Sequence, residues 1–504
     1  MSLDIPALQA SHPAALEFLA RGDHPMLLGD QWVAALSGEW METLNPATGT
    51  VLGRFPSGAA ADVDRAVQAA RSAFESGPWS CMTPAERGKI LWRVGDLIEQ
   101  HIDELSELET LDQGKPIWVG RYAEIPGAAG QFHYFAGQAP RIEGQTISTS
   151  INYQPAGKQV FAYTLKQPVG VVAAIVPWNS PLVLTAMKLA PALAAGCCVV
   201  LKPAEDTSLT ALRLGELLLE AGLPPGVVNI VTGRGDVVGA ALAAHPGVDK
   251  VSFTGSTQVG RAVLAAASGN LKKVTLELGG KSPVIVMPDA DMELAIPGAA
   301  SAIFFNSGQV CVAGSRLYIH RSVFDQVVKG IADIARGMKL GHGLDPSTQI
   351  GPVVSRKQAD RINGYVQEAL AAGAEAMVGG RQLGPHGTFI EPTLLVNVSP
   401  DMACVREEIF GPVVVATPVD SLEEALALAN DSIYGLAASI WTRDLSTAHR
   451  AAALLKSGTV WINCHLMFDA SLPIGGVKQS GWGRESGQAA VDNFLEVKTV
   501  CAVI

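Results

Sequence analysis

Phe253-Thr-Gly-Ser-Thr-Gln-Val-Gly260 decides the fold. The run Lys250–Phe253 enters it as a strand, and an alanine-rich stretch to Ala267 leaves it as a helix. Gly255 lets backbone approach a pyrophosphate closely, and a Ser256 or Thr257 hydroxyl can cap a helix whose free N–H groups face the anion. The spacing from Gly255 to Gly260 is G-x-x-x-x-G, not the G-x-G-x-x-G of the dinucleotide fingerprint.

Upstream, residues 170–278 alternate short β-branched runs with alanine- and leucine-rich ones, the pattern of a parallel sheet. Strands are predicted at Val171–Val176, Cys198–Leu201 and Val227–Val231, and helices at Leu182–Ala195, Thr207–Ala221 and Asp236–Ala244. Apolar residues run nearly all round Leu182–Ala195, as in a buried helix. Downstream of Gly280 a second α/β unit is predicted, with strands Val284–Met287 and Arg316–Ile319 and helices near 322–337, 356–372 and 421–430. Lys158–Gln167 alternates like an exposed strand and Val497–Ile504 is a short terminal one; the two could pair between subunits.

Composition agrees with a large globular chain. Its 504 residues, 48% hydrophobic and 17% charged, can bury the cores of two or more domains. A net charge of −11 without basic clusters disfavours nucleic-acid binding. Val171–Val200 is apolar enough to suggest a membrane span, but Pro177, Asn179, Ser180, Pro181 and Lys188 interrupt it. Met1-Ser-Leu-Asp4 shows no leader, and seven scattered cysteines without C-x-x-C spacing argue against disulfides or a zinc site, so no metal and a cytoplasmic location are expected.

Further motifs then appear in a fixed order: Pro177-Trp-Asn179, Leu201-Lys-Pro-Ala-Glu205, Leu276-Glu-Leu-Gly-Gly-Lys281, Gly308-Gln-Val-Cys311, Glu407-Glu-Ile-Phe-Gly-Pro412 and Gly475-Gly-Val-Lys-Gln-Ser-Gly481. Together with Phe253–Ser256 they make the chain resemble the NAD(P)-dependent aldehyde dehydrogenases of hydrolytic type, from about Met26 to the C-terminus. The resemblance implies an α/β fold with a Rossmann-like NAD-binding domain (26–149 and 169–279), a second α/β catalytic domain (280–487) and a small β oligomerisation element (150–168 and 488–504), after an extension at 1–25. It also implies a homodimer or homotetramer.

By the same resemblance Cys311 is the nucleophile. A thiolate attacks an aldehyde readily, and the thiohemiacetal presents a hydride to a nicotinamide, leaving a thioester. A free thiol titrates at about 8.5, so the site must favour the thiolate or take its proton during attack. The competing reading, an inert buried cysteine, is the one given to Cys81, Cys197, Cys198, Cys404 and Cys501. Glu277 is implied as the base that activates water, and Asn179, with the Cys311 N–H, as the oxyanion donor. A surface glutamate and an asparagine capping a turn are the plain alternatives.

For the cofactor, Lys202 and Glu205 follow a strand end where an adenosine ribose is expected. A carboxylate at 205 accepts from a ribose 2′-OH and repels a 2′-phosphate, which favours NAD over NADP, unless Glu205 serves only its helix dipole. Similarity places Ile175, Pro177, Trp178, Gly255, Ser256, Gly260 and Leu278 along the same cofactor surface, Glu408 and Gln358 near the nicotinamide ribose, and Phe410 against the ring.

The pocket departs from familiar members: Ser180 stands where Phe is common, and Pro473-Ile474-Gly475-Gly476 replaces Pro-Phe-Gly-Gly. Val310, Val312, Met187, Cys464, Phe468 and Ile474 are the expected walls, suited to a bulky apolar aldehyde. Phe304–Tyr318, Trp461–His465 and Phe18–Arg21 resemble the bacterial branch that includes phenylacetaldehyde dehydrogenases. Two rivals are a CoA-acylating enzyme, against which Glu277 speaks, and a non-catalytic member, against which Cys311, Glu277 and Asn179 together speak.

Overall fold

The computed structural model describes residues 8–153, 156–384 and 386–504. Met1–Asp4, where a leader would begin, and residues 154 and 155 of the proposed oligomerisation element lie outside the described residues.

The first sheet has eight strands. Its parallel centre runs in the order Val228–Ile230, Cys198–Lys202, Val171–Ile175, Lys250–Thr254, Lys273–Glu277. Every residue of Val171–Ile175, Cys198–Lys202 and Lys250–Thr254 is buried, as expected for strands covered on both faces. Strand order reverses at Val171–Ile175: the chain first builds outward through Cys198, then crosses back to Lys250 on the other side. Such a switch point opens a crevice at the carboxyl ends of the strands, where Pro177–Asn179 and Gly255–Ser256 emerge. Ser256, not Thr257, caps the helix Thr257–Ala267, its hydroxyl accepting from the Val259 N–H at 3.3 Å.

The edges of this sheet come from unexpected places. Met26–Leu28 and Gln31–Val33 add antiparallel strands on one side. Gly481–Trp482, assigned by sequence to the catalytic unit, pairs antiparallel with Leu276 and Glu277 on the other. That glycine-rich segment has no periodicity to announce a strand. Helices Pro84–Gln100, Ile102–Gln113 and Ile125–Gln138, for which no bounds were predicted, pack around Pro181–Ala195, while Ala60–Ser76 lies against Cys198–Lys202 and Val228–Ile230 beside Ala240–Ala244.

The second sheet has seven strands, in the order Glu375–Val378, Thr393–Val396, Val413–Val419, Arg316–His320, Pro283–Val286, Ala437–Trp441, Thr459–Ile462. All are parallel except Glu375–Val378. The helices expected there are Phe324–Gly337, Arg356–Ala371 and Leu422–Asn430. In a third, three-stranded sheet Val160–Pro168 and Leu495–Val503 pair with one another within the chain, Leu495 opposite Pro168 and Val503 opposite Val160. Their near-equal lengths let every residue find its partner inside the chain. Among the described residues no helix is long and apolar enough to cross a membrane.

Candidate active site

The carboxyl ends of the first sheet's parallel strands meet the amino ends of the second sheet's at one cleft: Cys311 stands ahead of Arg316–His320, and Glu408 and Phe410 ahead of Val413–Val419. Glu277 ends the strand Lys273–Glu277, and its side chain is buried. Gly475 meets it closely: a Cβ there would lie 2.7 Å from Glu277 Oε1. That oxygen has no hydrogen-bond partner in the protein, the position of a group reserved for something small and polar. Burial, with the nearby Glu485 carboxylate, drives the Glu277 carboxyl well above its ordinary range, while Lys188, Arg484 and the Gly476 N–H pull the other way.

Lys188 and Glu485 form a buried ion pair beside it, and Lys188 Nζ also donates to Ser252 Oγ at 3.3 Å. Neither was singled out by sequence for a role at the site. The available signal was Lys188 itself, a cation in an otherwise apolar helix, which has to find an anion when buried.

The chain reaches the cysteine through Asn306 (φ +48°), Ser307 (φ +54°) and Gly308 (φ +71°), all left-handed. A Cβ at Gly308 would strike the Gly411 carbonyl oxygen at 2.1 Å, so only glycine fits. Asn179 Nδ2 donates to the Gln309 carbonyl at 3.0 Å, and Asn306 Nδ2 donates to the Asn179 carbonyl at 3.0 Å. Asn179 therefore lies against the nucleophile segment with one amide hydrogen uncommitted. Cys311 is partly accessible. Burial pushes its thiol up to about 12, aided by the carboxylates of Glu408, Glu277 and Glu485 and opposed by the Val312 N–H. At that value Cys311 is held as a thiol, and a nucleophilic role requires its proton to leave as it attacks. Of the cysteines read as buried and inert, Cys197, Cys198 and Cys404 are buried, whereas Cys81 and Cys501 are exposed, each on a surface helix or edge strand.

On the cofactor side, Lys202 Nζ donates to Glu205 Oε2 at 3.1 Å, and the Gly235 N–H donates to Oε1 at 3.2 Å. Burial works against the Glu205 charge, but Lys202 and these donors outweigh it and hold the carboxyl below its usual range. An ionised, 38% exposed carboxylate at this strand end fits an unphosphorylated ribose diol. A Cβ at Gly260 would stand 2.6 Å from Leu278 Cδ2, so that glycine serves helix-to-strand contact. Trp178 and Phe410 meet edge to face at 5.2 Å. Phe410 holds φ +61°, and Gln358 Nε2 donates to its carbonyl at 2.8 Å. Glu408 accepts from the Gly280 N–H at 2.9 Å, and burial raises it to about 7. Ile175 and Pro177 lead from the switch-point strand to Trp178.

The pocket walls divide. Val310, Cys311, Cys464, Leu466 and Ile474 pack on one apolar cluster with Trp461, and Phe468 meets Trp461 at 5.7 Å. Val312 is corrected: at 0% exposure it packs with Leu436 and Ala437 behind the wall, because its turn points it into the core. Ser180 commits its hydroxyl to the buried Glu124 at 2.8 Å. Met187 is half-buried on Pro181–Ala195 and is not among the residues packed on that cluster.

The aldehyde dehydrogenase family model matches residues 32–500. The chain belongs to the aldehyde dehydrogenase family. This family member is 47% identical to a phenylacetaldehyde dehydrogenase of Pseudomonas fluorescens, over 95% of each chain. It is 45% identical to the mitochondrial aldehyde dehydrogenase of Homo sapiens, over 94% of this chain and 91% of that one. The NAD+ complex of an aldehyde dehydrogenase from Bacillus cereus superposes with a TM-score of 0.95 at 46% identity, covering 100% of both chains. A betaine aldehyde dehydrogenase of Staphylococcus aureus in complex with NAD+ gives 0.94 at 40% identity, over 97% of each.

Proposed function

We propose that this NAD-dependent aldehyde dehydrogenase oxidises a bulky apolar aldehyde, of the arylacetaldehyde class, to its acid with water as the acyl acceptor. The buried Glu277 carboxyl beside Cys311, with a partnerless oxygen, carries the hydrolytic part of this reading. Cys311 attacks the carbonyl carbon, its S–H proton passing to solvent, while the free hydrogen of Asn179 Nδ2 and the Cys311 N–H take up the oxyanion. NAD, when bound, supplies the hydride acceptor. Glu277 then accepts a proton from the water that cleaves the thioester.

The apolar cluster around Cys311, with Phe468 against Trp461, supports an aromatic guest, as does the similarity to the Pseudomonas fluorescens enzyme. Residues 26–149 with 169–279 are assigned to the cofactor, and 280–487 to the nucleophile. The assembly proposed is a dimer or tetramer through the three-stranded sheet, and a monomer mass by light scattering refutes it. The residue roles are tested by NADH formation from phenylacetaldehyde without CoA, with Cys311→Ala alongside. Activity in the native protein alone is expected; a requirement for CoA overturns hydrolysis, and oxidation of only short or charged aldehydes overturns the substrate class.

A further inference from the structure

The nucleophile occupies a tight turn. The Ala313 N–H donates to the Val310 carbonyl at 3.0 Å, which makes Cys311 and Val312 its central pair. Val312 faces two ways: its N–H is among the groups that favour a charged Cys311 sulfur, and its carbonyl lies 2.9 Å from His465 Nε2. The other ring nitrogen, Nδ1, lies 2.9 Å from Ser439 Oγ on the strand Ala437–Trp441.

These partners fix the tautomer. A carbonyl only accepts, so Nε2 carries the proton and Nδ1 accepts from the Ser439 hydroxyl. His465 is 7% exposed, its ring lies 4.6 Å from that of Trp461, and a Cβ at Gly314 would stand 3.5 Å from its Cε1. Burial lowers its pKa to about 4, so the imidazole is neutral wherever the protein is expected to work. The ring has no freedom to turn without losing both bonds.

The consequence reaches the sulfur. Of the groups acting on Cys311, burial and the carboxylates of Glu408, Glu277 and Glu485 oppose a thiolate; the Val312 N–H favours one. A charged sulfur gains more from that donor than a neutral thiol does. The N–H and the carbonyl lie in the two peptide units either side of the Val312 Cα, both inside the turn closed by the Ala313 N–H, so holding the carbonyl steadies the turn that sets the direction of the N–H.

We propose that His465 is a positioning residue for the nucleophile: by donating Nε2–H to the Val312 carbonyl it keeps the Val312 N–H aimed at the Cys311 sulfur. This rests on the reading of Cys311 as the nucleophile. A histidine that merely fills space makes a different forecast.

The test is the pH dependence of Cys311 alkylation by iodoacetamide in the full-length protein, read at the Cys311 peptide by mass spectrometry because other cysteines also react. His465→Phe is expected to slow alkylation about tenfold at fixed pH and to move its midpoint up by about one pH unit. His465→Gln, which keeps an N–H donor, is expected to recover most of the rate. In turnover, kcat falls with His465→Phe while KM for NAD stays put. An unchanged profile in folded His465→Phe overturns the proposal, as does a His465→Gln no better than His465→Phe. If His465→Phe does not fold, Ser439→Ala, which removes the hydroxyl holding Nδ1 and so lets the ring swing off the Val312 carbonyl, should shift the profile the same way; no shift overturns the proposal. Full turnover by Cys311→Ala would instead remove the nucleophile reading beneath it.

Discussion

Asn179 Nδ2 donates to the Gln309 carbonyl at 3.0 Å, tying the residue after the switch-point strand of one sheet to the segment that carries Cys311 from the other. Gln309 returns the link through its own amide, donating to the Asn306 carbonyl at 3.2 Å and accepting from the Val354 N–H at 2.9 Å. The loop of bonds closes at Asn306, whose amide holds the Asn179 carbonyl. A site built this way keeps donor and nucleophile in fixed relation, the condition for stabilising charge that develops only during reaction.

Asn179→Ala removes the uncommitted donor as well as the bond to Gln309. Loss of one oxyanion donor costs about 10²- to 10³-fold in kcat. That loss is expected here with KM for NAD unchanged, measured by steady-state NADH formation alongside circular dichroism to confirm folding.

Glu277→Gln separates the two chemical halves. On the roles proposed, attack and hydride departure need Cys311, whereas water activation needs the Glu277 carboxylate. A rapid NADH burst of about one per site, followed by turnover slowed about 10²- to 10⁴-fold, is expected in stopped flow. Absence of a burst would assign Glu277 to removal of the thiol proton.

Much of this was legible in the chain. The alternation across 170–278 predicted the parallel centre of the first sheet, because buried strands are uniformly apolar and short while their helices carry long apolar faces. The segments Pro177–Asn179, Leu201–Glu205 and Leu276–Lys281 all stand at carboxyl ends of its strands, so motif order translated into one cleft. What stayed hidden depends on long-range contact. Gly481–Trp482 becomes a strand only because Leu276 and Glu277 offer it an open edge. Val312 and Ser180 are near the nucleophile or the donor in sequence, yet one faces the core and the other Glu124, and no periodicity reports which way a turn residue points. His465 is likewise 153 residues from the carbonyl that it holds.

Glu205→Gln tests cofactor choice. The substitution removes the charge that repels a 2′-phosphate and weakens the acceptor offered to a 2′-hydroxyl. A charged hydrogen bond contributes about 1.5–3 kcal/mol, so kcat/KM for NAD is expected to fall at least about tenfold while that for NADP rises. Parallel assays with the two cofactors decide it; an unchanged ratio would leave Glu205 as a helix-end residue paired with Lys202.

Lys188→Met addresses proton balance at Glu277. The Glu277 carboxyl is raised well above its ordinary range by burial and by Glu485, and Lys188 is the first of the groups pulling it back. Its base form therefore accumulates as pH rises, so hydrolytic turnover should climb toward alkaline pH. Removing the Lys188 charge raises the Glu277 pKa further, which moves that climb to higher pH. The substitution also leaves Glu485 buried without its cation, at a cost of about 3–5 kcal/mol in stability. Two measurements bear on this: the pH profile of kcat, and denaturant unfolding. A destabilised protein whose profile keeps its midpoint would make Lys188 a structural ion-pair partner alone; a displaced midpoint joins the Lys188–Glu485 pair to the proton traffic of the base.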